Sequence, residues 1–135
     1  MKKWLIGLAC VGMWAAAAAG QSVVINEIRN DAPDAIELVV VQDGLNMQGM
    51  ILKDYSSSGV NDGGGAFTFS TDALWASVPA GTIILLQKTN TATDVTVGGG
   101  DYNLAVGLQN TTYFTAGSGT FDVATEEIIQ IKAAG

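Results

Sequence analysis

After residue 20 the chain never sustains the 3.6-residue apolar period of a helix. It advances in short β-branched runs broken by Gly, Pro, Asn and Asp. Val23–Ile28 and Ala35–Val41 flank the turn Asn30-Asp31-Ala32-Pro33-Asp34 and predict a hairpin. Met50–Tyr55, Ala66–Ser70, Thr82–Leu86, Tyr102–Val106, Thr120–Val123 and Glu127–Lys132 read as further strands, with an edge strand at Val95–Val97. Asp72–Trp75 reads as one helical turn capped by Thr71 or Asp72. Eight or nine short strands without a long amphipathic helix predict an all-β, antiparallel sandwich or barrel. No period repeats, which argues against a propeller or solenoid.

Residues 1–20 differ in kind. Lys2-Lys3, an apolar run from Trp4 to Trp14 and small residues through Ala19-Gly20 form the pattern of a secretory signal, with cleavage expected between Gly20 and Gln21. The stretch is at the short limit for a membrane span, and no cationic flank follows it to halt transfer. Acylation at Cys10 is disfavoured because only six residues separate it from Lys3. The expected layout is a signal peptide at 1–20 and one sandwich domain at 21–135, secreted or held at the cell surface or in the periplasm. Ala133-Ala134-Gly135 resembles the start of a connection, so the front domain of a longer protein is an equal expectation.

The same boundary sharpens the charge. All 13 acidic residues lie after residue 20, with only Arg29, Lys53, Lys88 and Lys132 of the six basic ones, leaving −9. Four scattered cations make a poor nucleic-acid surface. The sequence has no histidine and its one cysteine is Cys10. This excludes Ser-His-Asp and Cys-His nucleophile systems, imidazole zinc sites and a disulfide in the body.

Several residues bear on chemistry. Glu27 and Glu37 sit inside apolar strands and approach each other if the hairpin forms. A carboxylate pair suits acid–base work or glycoside hydrolysis, although strand alternation alone also explains polar residues here. Asp62, Asp94 and Asp101 in glycine-rich loops are the candidates for a calcium ion, but Asp also favours turns for conformational reasons. The runs Gly63–Gly65 and Gly98–Gly100 lack the dinucleotide spacing and a following helix, so they read as loops. Asn110-Thr111-Thr112 is a formal glycosylation sequon. Trp75 with Tyr55, Tyr102 and Tyr113 is a candidate sugar-stacking platform, weighed against core or loop packing. No cofactor and no catalytic residue is expected.

Val24-Ile25-Asn26-Glu27-Ile28, Ile36-Glu37-Leu38 and Leu45–Asp54, then Phe67-Thr68-Phe69 and Val78-Pro79-Ala80-Gly81 with the strand to Leu86, follow in order and spacing. This series resembles the lamin tail domain family over about residues 23–88, with 89–135 similar only as further strands. The short turn at Asn30–Asp34 and the long loop at 56–65 depart from the family pattern. The resemblance implies an immunoglobulin-like antiparallel β-sandwich. In exported bacterial proteins it implies an accessory or anchoring module, alone or beside nucleases and phosphoesterases, and it supplies no catalytic residues. The expected function is non-catalytic binding or surface attachment to a protein or polysaccharide partner. The alternative is an accessory domain of an exported hydrolase. The loops 56–65, 89–101 and 109–119 are the expected contact surface.

Overall fold

The computed structural model describes residues 21–55, 65–116, 121–124 and 127–135. The signal segment with Cys10 and Gly20, and the loop residues 56–64 with Asp62, lie outside the described residues.

Among the described residues nine strands form an all-β sandwich. They are β1 (Val23–Arg29), β2 (Ala35–Val40), β3 (Ile51–Tyr55), β4 (Ala66–Phe69), β5 (Ile83–Gln87), β6 (Ala92–Asp94), β7 (Asn103–Gly107), β8 (Phe114–Ala116) and β9 (Ile128–Lys132). One sheet has the order β1-β2-β5-β7-β6 and the other β8-β4-β3-β9. Among the described residues all ladders are antiparallel except β5–β7, which is parallel. The exception follows from the route of the chain. It leaves β5, runs to the sheet edge as β6, and returns as β7 between the two. Gly98, Gly99 and Gly100 all have positive φ and turn this corner, so the glycine run serves backbone geometry.

Alternation builds the core. Ile36, Leu38 and Val40 of β2, with Ile84 and Leu86 of β5, face inward from the five-stranded sheet. Leu52 of β3, Phe67 and Phe69 of β4 and Phe114 of β8 meet them from the other. Burying each such side chain contributes roughly 1.5–3 kcal/mol against leaving it in water. Trp75 is fully buried at one end, with ring centroids 4.9 Å from Phe69 and 5.6 Å from Phe114. It comes from a single 3₁₀ turn, Ala73–Trp75, whose start is capped by Asp72: Oδ1 accepts from the Leu74 amide at 2.8 Å. The β2–β3 connection closes the same end, with the Leu45 amide on the Val78 carbonyl and the Met47 amide on the Trp75 carbonyl.

Three expectations change. The short edge strand lies at Ala92–Asp94, while Val95 and Val97 leave the ladder to pack against the core. The polar stretch after Asn110 contains β8, because Phe114 supplies the buried anchor. The described part of Thr120–Val123 is not a strand, although Phe121 and Val123 alternate inward like one.

Candidate functional site

The outer surface of the five-stranded sheet carries the most developed site among the described residues. Inward Ile36 and Leu38 oblige Glu37 and Val39 of β2 to face out, and inward Ile84 and Leu86 do the same for Ile83 and Leu85 of β5. Cross-strand register then sets Val24, Val39 and Ile83 in one row and Glu27, Glu37 and Leu85 in the next.

Glu27 and Glu37 are direct cross-strand partners, as the hairpin implied. The ladder shifts between Ile25 and Glu27, so β1 spends one extra residue opposite β2. Asn26 is that residue, and its Nδ2 donates to Glu37 Oε1 at 2.6 Å. The bulge therefore places two carboxylates and an orienting amide against one point of β2. Like charges in directly opposed positions are mildly destabilising in a sheet. Around them lies a depression of ≈ 200 Å³ lined by Glu27, Arg29, Ala35, Glu37 and Leu85. Arg29 turns toward the β1–β2 turn. Its Nε is 2.8 Å from Asp31 Oδ1, and a terminal nitrogen donates to the Pro33 carbonyl at 3.3 Å. An acidic rim over an apolar floor of Leu85 and Ala35 suits an alkyl-ammonium or guanidinium group.

A second carboxylate group lies at one end of the sandwich, with Asp54 alone buried, and sequence reasoning missed it. Three consecutive backbone amides each donate to a different acid. The Asp122 amide donates to Asp54 Oδ2 at 3.0 Å, the Val123 amide to Asp34 Oδ2 at 3.3 Å, and the Ala124 amide to Glu127 Oε2 at 2.7 Å. Side chains thus replace the missing ladder of segment 121–124. Lys88 Nζ holds the Asp122 carboxylate at 3.1 Å. Asp54 itself is buried, 3% exposed. Burial pushes its carboxyl up to about 6, and the Glu127 and Asp122 carboxylates add to the rise against the opposing pull of the Asp122 amide. Its Oδ1 meets no donor, and the nearby Glu127 carboxylate further disfavours a charge there. The signal was available: Asp54 shares the parity of core residue Leu52.

The other expected sites resolve individually. Asp94 Oδ1 accepts from the Thr96 amide, and Asp101 Oδ1 accepts from the Asn103 amide, so each carboxylate closes its own turn. Among the described residues no three acids converge to hold a metal ion. The stacking platform does not form around Trp75. That ring is in the core, its Nε1 donating to the Tyr113 carbonyl at 2.8 Å. Tyr55 is engaged on the other sheet, beneath Lys53 Nζ at 5.1 Å from its centroid, and Tyr102 is exposed. Asn110 uses its side chain in the turn: Oδ1 accepts from the Thr112 amide and Nδ2 donates to the Asn90 carbonyl.

Fold and site together define an all-β sandwich with a partly apolar, acid-marked outer sheet face. No family model, no curated protein and no solved structure matches this chain.

Proposed function

We propose that this protein is an exported, non-catalytic β-sandwich module that binds or attaches to a protein or polysaccharide partner. The observation that carries the reading is the outer face of β2 and β5. Val39, Ile83 and Leu85 face away from the core beside a depression with a defined acidic edge. Strands apolar on both sides are ordinarily covered on both sides. The resemblance to the lamin tail domain family supports the same reading by implying an accessory or anchoring role. No helix among the described residues is long and apolar enough to cross a membrane, and the amino-terminal pattern of Lys2-Lys3, an apolar run and Ala18-Ala19-Gly20 supports export.

Retention on the surface material of the producing cell tests the binding reading. Labelled protein should be held saturably. Protease treatment of the surface should abolish retention if the partner is protein, and periodate treatment should do so if it is polysaccharide. Absence of saturable retention on untreated material refutes the reading. Export has its own test. Protein recovered from outside the cytoplasm should begin at Gln21 by amino-terminal sequencing, and a product still beginning at Met1 would contradict the signal assignment.

A further inference from the structure

We infer that the outer face of the five-stranded sheet docks a partner-protein segment that carries a lysine or arginine among apolar residues, with the cation seated between Glu27 and Glu37. This rests on the reading of the protein as a binding module and names the partner's chemistry.

Three observations converge. First, the face is apolar where it is open: Ile83 is 37% exposed, Val41 just beyond β2 is 53% exposed, and Val39 lies directly beside Ile83. Second, the depression beside this strip joins two carboxylates to the aliphatic floor of Leu85 and Ala35. A lysine or arginine side chain matches that division, laying its methylene stem on the floor and its charge at the rim. Asn26 holds the Glu37 carboxylate ready on the bulge. Third, the chain's own cations have other partners or places. Arg29 lines the depression, but its guanidinium is held by Asp31 and Pro33; Lys88 is held by Asp122, Lys53 is buried on the other sheet, and Lys132 lies on β9 of that sheet.

Charge complementarity also discriminates among occupants. A second copy bound through the same patch would bring an acidic face against an acidic face in a body of net charge −9. An acidic polysaccharide meets the same repulsion, and a neutral sugar, although exposed Tyr102 offers it a ring, leaves both carboxylates without a counter-charge. A cationic, apolar-bearing protein segment satisfies both halves of the surface.

The test is a titration of the ¹⁵N-labelled full chain with a 14-residue amphipathic peptide of leucine and lysine, and with its leucine and glutamate counterpart. The expected result is saturable binding of the lysine peptide alone. Amide shifts should concentrate at Val24–Glu27, Glu37–Val39 and Ile83–Leu85. Glu27→Gln with Glu37→Gln should weaken binding about tenfold or more, since close opposite charges carry much of such an interface. Ile83→Thr, which leaves every charge in place, should weaken it as well. The double variant relieves a like-charge opposition and should melt no lower than the parent. If it does unfold, Glu27→Gln and Ile83→Thr carry the test separately. Shifts scattered over acids of both sheets, an unchanged Kd in the variants, binding of the glutamate peptide, or dimerisation of the chain through this face would each overturn the proposal. Surface retention that survives Glu27→Gln with Glu37→Gln would sink this inference and leave the binding reading intact. Loss of all retention in the parent protein would remove the binding reading itself.

Discussion

Gly107→Ala is expected to destabilise the protein by about 3 kcal/mol, the upper part of the usual range for overpacking a tight site. A Cβ at this position would stand 2.2 Å from the Thr89 carbonyl oxygen and 2.5 Å from that of Thr91. Both obstacles are backbone, so no rotamer change relieves them. Three neighbouring hydrogen bonds fix the same place: Gly107 amide to Thr91 carbonyl, Leu108 amide to Gln87 carbonyl, and Gln109 amide to Thr89 carbonyl. They hold the exit of β5 against the end of β7, where the parallel pair is registered. Thermal unfolding should fall by roughly 10 °C for a domain of this size. Gly81→Ala is the control. Gly81 has φ +85° but open space around its Cβ position, so only the left-handed strain of roughly 1–2 kcal/mol applies. Equal losses in the two variants would show that close approach is not what demands glycine at 107.

The buried Asp54 carboxyl should give the protein an inverted acid response. Its folded value of about 6 lies above the ordinary 3.8, so the folded state holds a proton that the unfolded chain releases. The resulting stability is fully present below about 3.8 and is lost as the pH rises through about 6. The interval corresponds to an upper limit of roughly 3 kcal/mol. Asp54→Asn keeps an oxygen for the Asp122 amide and removes the titration. Denaturant unfolding from pH 3.5 to 7.5 should show the difference, wild type minus variant, falling across that window. A difference that is flat with pH would show that Asp54 titrates alike in the folded and unfolded chain, and one that rises would show that folding favours its charged form.

The two results separate what local sequence encodes from what it cannot. Strands β1 to β5 were legible within a residue or two, because alternation and turn residues are local signals. The cross-strand meeting of Glu27 and Glu37 was legible for the same reason, since a five-residue turn between two runs leaves few registers. The bulge at Asn26 was not, because nothing in Asn-Glu announces an extra residue. Pairing order is non-local, so the parallel β5–β7 ladder could not be read from either strand. The strip formed by Val39, Ile83 and Leu85 was not legible for a related reason. A doubly apolar strand signals burial on both faces, and here one face is left for something outside this fold. Segment 121–124 shows the reverse case. Phe121 and Val123 alternate like a strand, yet the amides of Asp122, Val123 and Ala124 are satisfied by acids, two of them from distant positions and the third, Glu127, three residues on. Trp75 is in the core, the packing weighed against the stacking platform, but its place against Phe114 was not legible because polar residues conceal β8.

The ladder between β3 and β9 joins Ile51 to Lys132, positions separated by roughly eighty residues, so its formation carries a large loop-closure cost. The five-stranded sheet, by contrast, is complete by Gly107. A chain appearing amino end first would finish that sheet while its partner still lacked both edge strands, β8 and β9. The aromatic residues of β4 would then wait half-covered. Final closure falls to the 121–124 segment and β9, which makes the kinetics of assembly depend on the same few acids that grip those three amides.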